Sequence, residues 1–251
     1  MRGRCSTTAA VTPSSNVRRV TRTLTPARRR GVEKLDVPGV PAPIVRRSLA
    51  DVALANRLFG GTHAVLAELE PLLGGRERVL TLLDVGTGAA DIAIAARKAA
   101  ARRGVGLVAI GADTAIPLVT SAAQRIDGAI AASAVALPFA DHSIDIVVCS
   151  QLLHHFREHE IACVLRELDR VARVRVIVSD LQRSWIAAAG IWLASFPLRF
   201  HPISRHDGVL SVLRGFTAPE LGAHIALATG AMPSVTRRPG WRVTASWTPH
   251  S

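Results

Sequence analysis

The 251-residue chain has no tyrosine, only three cysteines and no long uninterrupted apolar segment. Cys5, Cys149 and Cys163 contain no CxxC pair and are odd in number, which excludes a disulfide framework and a four-thiolate zinc site. No metal is expected, and a reducing, cytoplasmic setting is the expected home. The longest strongly apolar run, Trp185 to Leu198, is 14 residues between Arg183 and Arg199, short of the ~18–20 that a bilayer-spanning helix requires. No transmembrane segment is expected. Acids are nearly missing from the first part of the chain. Residues 1–34 hold eight arginines, Lys34 and one acid, Glu33, so this stretch carries +8 of a net +12. It lacks the apolar core of a secretory signal, although it has transit-peptide composition. With the Pro/Gly-rich run from Val37 to Pro43 it reads as a disordered basic leader and linker, residues 1–43. The modest charge of the remainder argues against nucleic acid as a partner.

A 49% hydrophobic composition fits one globular domain, residues 44–251, beside that leader. Apolar residues recur at helical spacing through Leu54, Leu58, Val65, Leu69 and Leu72, and Gly60-Gly61 splits them into two capping helices. Strands expected at Val79–Val85, Val105–Gly111, Ala129–Ser133, Ile144–Ser150 and Val174–Ser179 alternate with helices at Ala89–Arg102, Ala115–Arg125 and Glu158–Ala172. Such alternation, with Val/Ile-rich strands, predicts an α/β, doubly wound, mostly parallel sheet covered on both faces. Trp185–Phe196 is expected to be an apolar helix, either plain core or a wall for a greasy ligand. Arg199–Gly215 is expected to be irregular, and Thr217-Ala-Pro-Glu220 starts a further helix. The runs either side of Pro239-Gly240 predict a closing antiparallel hairpin.

The chemistry concentrates after the first strand. Leu82-Leu-Asp-Val-Gly-Thr-Gly-Ala-Ala-Asp91 is a strand, a glycine-rich turn and a helix start, the place where open α/β sheets bind ligands. A dinucleotide fingerprint needs a third glycine so that a pyrophosphate can approach the helix N-terminus. Here Asp91 stands at that position and Asp84 precedes Gly86 by two. Two carboxylates facing a phosphate disfavour NAD and FAD, whereas a ligand with an ammonium group is well served by Asp84 and the exposed backbone of Gly86 and Gly88. S-adenosylmethionine is such a ligand.

On these residues the chain resembles the class I S-adenosylmethionine-dependent methyltransferases over roughly Ala50 to Trp247. The family's first-strand pattern is matched at Asp84, Gly86 and Gly88, with Ala90 replacing its last glycine. The resemblance implies a Rossmann-like methyltransferase sheet and a ribose-binding role for Asp113, which ends Ile110-Gly-Ala-Asp113 and also has the position of a helix N-cap. Ala136-Leu-Pro-Phe-Ala-Asp-His-Ser-Ile-Asp145 is similar to the family segment before the fourth strand, with Asp145 fixing a turn. Where relatives carry an adenine-binding Asp this chain has Ser133, so the Ser133 hydroxyl or the Ala134 backbone is expected to serve. Ser150-Gln-Leu-Leu-His-His-Phe156 resembles the segment lining the methyl-transfer site of small-molecule enzymes, which places Ser150 at the cofactor. The Asn/Asp-Pro-Pro-aromatic motif of base-amine methyltransferases is missing. Glu167 to Asp180 resembles the type 11 group, which includes quinone C-methyltransferases. Arg183-Ser-Trp, Arg205-His-Asp-Gly and Phe216-Thr-Ala-Pro-Glu-Leu look like bacterial methyltransferases found beside type III polyketide synthases.

The resemblance thus implies methyl transfer to a hydrophobic small molecule of secondary metabolism. A phenolic or polyketide-derived hydroxyl is the leading acceptor, with C-methylation of a quinone-like ring as the alternative and an RNA-associated activity using the leader as a third. A phenol with pKa ~10 is mostly neutral at pH 7 and benefits from an imidazole base. His154 and His206, with Asp207 beside the latter, are the candidate catalytic groups; His155 is a weaker candidate, and catalysis by alignment alone stays open.

Overall fold

The computed structural model describes residues 25–37, 39–74 and 79–250. Most of the expected leader, residues 1–24, lies outside them. Seven strands form one sheet: β1 (Leu80–Val85), β2 (Leu107–Asp113), β3 (Gly128–Ala131), β4 (Ile144–Ser150), β5 (Ala172–Leu181), β6 (Ser234–Arg238) and β7 (Arg242–Trp247). Their order is β3-β2-β1-β4-β5-β7-β6. The first five run parallel, while β7 pairs antiparallel with both β5 and β6. The doubly wound class and the terminal hairpin therefore stand as expected from the alternation of runs.

Helices α1 (Ala42–Leu58), α2 (Gly61–Leu69), α3 (Asp91–Arg102), α4 (Ile116–Ala123) and α5 (Glu158–Val171) are followed by α6 (Trp185–Ala194), α7 (Pro202–Arg214) and α8 (Ala218–Thr229). One sheet face is packed by Val65 and Leu69 of α2, Ile92 and Ala96 of α3, and Ala122 of α4. The other is packed by Ile161, Leu165 and Leu168 of α5 with Leu221 and Ile225 of α8. In α5 these apolar residues recur at three and four positions, the spacing that puts them on one side of a helix. Thr217 caps α8 by accepting from the Glu220 amide while the Glu220 carboxylate accepts from the Thr217 amide, as its sequence predicts. Asp145 is buried and accepts from the Thr81 amide at 3.0 Å and from Arg173 at 2.7 Å. It ties the start of β4 to β1 at the sheet end remote from the glycine turn.

Two expectations are corrected. The stretch from Arg199 to Gly215 is not irregular, because residues 202–214 form α7. Pro202 supplies a preset first-turn φ and His201 Nδ1 accepts from the Ile203 amide at 3.3 Å. The helix escapes a periodicity search because its buried side includes Ser204, Asp207 and Arg214 beside Val212 and Leu213. The boundary between leader and body also shifts. Helix α1 begins at Ala42, and residues 25–37 lie against the body: Pro26 O accepts from Arg183 Nε at 2.7 Å, and Arg28 Nε donates to Arg214 O at 2.8 Å. The amides of Lys34 and Leu35 both donate to the Asp207 carboxylate, at 2.9 and 3.0 Å. An Arg-rich composition reads as leader, but the backbone of Pro26, Lys34 and Leu35 docks it through hydrogen bonds.

Candidate active site

The sheet order reverses between β1 and β4, where β2 and β3 go to one side and β5 to the other. A cavity of about 750 Å³ opens at the carboxyl ends of these strands, the location expected of a ligand site in an open α/β sheet. Its lining contains all seven residues expected to bind cofactor: Asp84, Gly86, Gly88, Asp113, Ser133, Ala134 and Ser150.

The turn after β1 is built around left-handed backbone, with φ of +75° at Gly86, +49° at Gly88 and +58° at Ala90. A Cβ on Gly86 would sit 2.9 Å from Leu152, whereas one on Gly88 meets nothing within 4 Å, so Gly88 exposes its backbone to open space. Ala90 holds the third left-handed position despite its methyl, which packs against Ala93, Ala109 and Ala122. Asp84 is buried and accepts from the Thr87 hydroxyl at 2.8 Å. Burial pushes its pKa up to about 7; the Thr87 hydrogen bond opposes the rise, and the nearby charges of Asp91 and Asp113 add to it. Three carboxylates around one turn repel a pyrophosphate and attract an ammonium group.

Asp113 ends β2 and accepts from the Gly88 amide at 3.0 Å and from the Ala115 amide at 3.0 Å. It is not the N-cap, which is Ala115, but closes a turn ahead of α4 and still lines the cavity, where a carboxylate keeps acceptor sites for hydroxyl groups. Ser133 Oγ accepts from the Val135 amide at 3.5 Å, and Ala134 is buried beside it. Ser150 Oγ is buried without a hydrogen-bond partner. A buried hydroxyl left unpaired on a cavity wall fits a ligand that supplies the partner. The donor set therefore fits S-adenosylmethionine.

The second half of the cavity lies under α1, α6 and α7 and is largely apolar, with Leu49, Val52, Ile191, Phe200 and Val212 among its walls. Here His154 is buried on the short 3₁₀ turn Leu153–His155 that follows β4. Its Nδ1 lies 2.7 Å from a carboxylate oxygen of Asp180, near the end of β5. Burial alone would raise the Asp180 pKa, but the charge and hydrogen bond of His154 and the Leu181 amide outweigh it, so the carboxyl sits below its ordinary value. An ionised carboxylate only accepts, so Nδ1 carries the proton shared with Asp180. Nε2 is buried and has no hydrogen-bond partner. The other pair expected from sequence is arranged differently. His206 Nδ1 meets Asp207 at 2.8 Å, but its ring is exposed and does not line the cavity. Asp207 does line it, yet its oxygens face the Lys34 and Leu35 amides.

Sequence reasoning missed three groups here. Asp180 was legible only as an acid ending an apolar strand. Glu33, hidden in the basic leader, is 6% exposed; it accepts from the Ser211 hydroxyl at 2.7 Å and pairs with Arg214 at 3.3 Å. Its carboxylate lies 3.8 Å from His154 Nε2 and 4.0 Å from His155 Nε2. Glu33, His154 and His155 offer three potential metal-ligand atoms within 4.8 Å of one another, a grouping the cysteine-based reasoning did not anticipate. Gln151 is the third: its side-chain amide donates to Asn56 Oδ1, and its own oxygen accepts from Arg242 at 2.7 Å. Asn56 in turn donates to Asp91 at 3.2 Å, so this polar chain ties α1 and β7 to the glycine turn.

The seven-stranded order, the acidic glycine turn and the cavity beside it define a Rossmann-like methyltransferase architecture. Residues 83–178 match the family described as "Methyltransferase domain", type 11. The match over residues 83–178 and the fold support a class I S-adenosylmethionine-dependent methyltransferase of this group, with S-adenosylmethionine as the cofactor. No curated protein sequence matches it. Among solved structures it is similar to a SAM-dependent methyltransferase from Aquifex aeolicus at 17% identity, covering 80% of this chain and 97% of that one, with a TM-score of 0.58. It is also similar to magnesium protoporphyrin IX methyltransferase from Synechocystis with bound SAH, at 15% identity, 87% and 92% coverage and a TM-score of 0.52. The CMeT domain of citrinin polyketide synthase matches at 13% identity, 69% and 47% coverage and a TM-score of 0.51.

Among the described residues no helix is long and apolar enough to cross a membrane.

Proposed function

We propose that the protein methylates a hydroxyl of a hydrophobic small molecule, phenolic or polyketide-derived, in the cytoplasm. The observation that carries this reading is His154 on the cavity wall, whose Nδ1 is held by Asp180 at 2.7 Å while its buried Nε2 makes no hydrogen bond and lies 3.8 Å from the Glu33 carboxylate. A base arranged in this way needs a proton to accept, and the O–H of an acceptor supplies one. The apolar walls under α1, α6 and α7 suit an acceptor that is greasy apart from that group.

Bound S-adenosylmethionine supplies a methyl group already made electrophilic by its sulfonium. The protein's share is alignment and proton handling. Asp84 and the Gly86–Gly88 backbone hold the amino-acid end, with Asp113 at the ribose and Ser133, Ala134 and Ser150 around the remainder. The acceptor oxygen takes the methyl as its proton passes to His154 Nε2, and Asp180 stabilises the resulting imidazolium. His206 has no part in this scheme, and Asp207 acts by anchoring residues 34–35. Methyltransferase chemistry occupies residues 44–251, completed on the acceptor side by Glu33. The solved neighbours named for magnesium protoporphyrin IX and citrinin polyketide synthase are consistent with a small-molecule acceptor.

The test is SAH formation with a panel of alkylphenols, pyrones and quinols, followed by mass spectrometry of the product. O-methylated product, with turnover lowered about 100-fold or more in His154→Gln and Asp180→Asn at unchanged SAH affinity, supports the reading. A product methylated on ring carbon overturns the hydroxyl assignment, and turnover untouched in both variants overturns the base.

A further inference from the structure

Helix α6 has no polar residue along its sequence, Trp185-Ile-Ala-Ala-Ala-Gly-Ile-Trp-Leu-Ala194. One side is accounted for: Ala187 and Ala188 are buried, and Ala187, Gly190 and Ile191 line the cavity. The other side faces solvent, with Trp185 43%, Ile186 48%, Trp192 48% and Leu193 60% exposed, and Phe196 46% exposed just beyond the helix. A helix on the surface of a water-soluble fold ordinarily turns polar residues outward, and a contiguous patch of large apolar side chains marks an interaction site.

The rim of this patch is cationic. Arg29 stacks over Trp185 with its guanidinium carbon 5.6 Å from the ring centre, and Arg205 over Phe196 at 3.9 Å. Arg47 donates to Arg199 O at 2.7 Å, which brings the first turns of α1 to the same edge. Arg29, Arg30, Arg46, Arg47 and Arg199 are exposed. Of the acids on these segments, Glu33, Asp51 and Asp207 are buried. The sequence adds five further arginines and no acid in residues 1–24.

We infer that this face docks on an anionic lipid bilayer, with α6 lying in the interface and the arginines on the headgroups. Tryptophans backed by aliphatic residues, ringed by arginines whose stems lie along apolar surface, suit the headgroup–acyl boundary, and each basic residue near an anionic leaflet adds attraction. A second copy of the chain is a poor occupant, since face-to-face pairing opposes two arginine rims. The position of the cavity gives docking a purpose. Gly190 is exposed and also lines the cavity, and it stands four residues after Ile186 and three before Leu193, on one helix face with both. The cavity mouth therefore opens beside the docking surface, so the hydrophobic acceptor enters from the bilayer. This last point rests on the acceptor reading given above.

The experiment is co-sedimentation of the full chain with vesicles of phosphatidylcholine alone or mixed with phosphatidylglycerol, for the wild type and an Ile186→Glu/Leu193→Glu variant. The expected result is partitioning onto the mixed vesicles that falls about tenfold or more in the variant, with SAH affinity unchanged. No partitioning by the wild type overturns the inference. Equal partitioning by the variant overturns it too, because basic charge alone then accounts for binding. A wild-type dimer that the variant dissolves, without vesicle binding, assigns the face to a second copy instead. Vesicle binding is read without turnover, so its failure is separate from a failure of the acceptor chemistry.

Discussion

The carboxylate of Glu33 lies 3.8 Å from Nε2 of His154, although one belongs to the basic N-terminal segment and the other follows the fourth strand. That segment is fixed at several points: Arg214 pairs with Glu33 and donates from Nε to His154 O at 3.0 Å, while Asp207 receives the Lys34 and Leu35 amides. Removing it takes a wall from the acceptor half of the cavity and strands a buried arginine.

Two truncations are therefore expected to behave differently. Loss of residues 1–24 leaves turnover unchanged with a soluble acceptor. Loss of residues 1–36 lowers it at least about tenfold and destabilises the fold by about 3 kcal/mol, since breaking a buried ion pair leaves an uncompensated charge. The glycine turn keeps its SAH affinity in both. Turnover assays, thermal melts and SAH titrations of the two truncated chains check this, and equal turnover in both removes Glu33 from the site.

The carboxyl of Asp84 should make cofactor affinity depend on pH. With its pKa raised to about 7 by burial, it is largely neutral at pH 6 and largely ionised at pH 8. An ammonium ligand binds the ionised form, so SAH binding is expected to tighten from pH 6 to 8 and then level. Asp84→Asn should abolish that dependence and bind at least about tenfold more weakly at pH 8, as a charge-assisted bond is lost. The same shift sets the stability of the ligand-free protein. An acid whose folded pKa lies above its unfolded value gives stability that is complete below pH ~4 and is lost as pH rises through ~7. The span is on the order of 4 kcal/mol, so Asp84→Asn should melt higher than wild type at pH 8 and equal to it at pH 4. Calorimetric titrations and melts across that range are the check.

Gly240 joins the closing hairpin to the break between α1 and α2. Its φ is +75°, and a Cβ there would lie 2.1 Å from the carbonyl oxygen of Phe59. Left-handed backbone costs a non-glycine residue about 1–2 kcal/mol, and the clash adds to it because backbone, not a pliable side chain, stands in the way. Gly240→Ala is expected to lose about 3 kcal/mol or more in denaturant titrations. A loss under about 1 kcal/mol would mean that the hairpin is not seated on Phe59.

Periodicity and turn chemistry made the sheet legible, because buried parallel strands and amphipathic helices such as α5 repeat their apolar residues with different periods. The candidate cofactor residues on the cavity wall were legible for a related reason: Asp84, Gly86 and Gly88 form a contiguous motif whose backbone needs are local. The acceptor half was not. His154 owes its orientation to Asp180, 26 residues further along the chain, and its other neighbour, Glu33, comes from 121 residues before it. His206-Asp207 looked like a dyad in sequence because adjacent residues look like partners, yet helical geometry turns His206 outward while Asp207 faces inward. Helix α7 was missed since Ser204, Asp207 and Arg214 occupy its buried side, Ser204 bonded to Ser48 of α1 and the other two anchoring the N-terminal segment. Nothing in a single sequence says that such polar residues are satisfied by chain more than 150 positions away.

Glu33, His154 and His155 form a group that zinc and magnesium should tell apart. Magnesium demands oxygen ligands in near-octahedral geometry, and the one carboxylate here is already engaged by Arg214 and Ser211. Zinc takes imidazole nitrogen readily, and two are within reach. A zinc ion on His154 Nε2 would occupy the lone pair that the proposed proton transfer uses. Turnover is therefore expected to be unaffected by EDTA or magnesium and inhibited by zinc, with the inhibition reversed by a chelator. His155→Gln should weaken zinc inhibition at least about tenfold while leaving SAH affinity alone, as loss of one ligand typically does to a small metal site. If EDTA instead abolishes turnover and a divalent ion restores it, these three side chains serve a metal that activates the acceptor hydroxyl, and His154 is a ligand in place of a base.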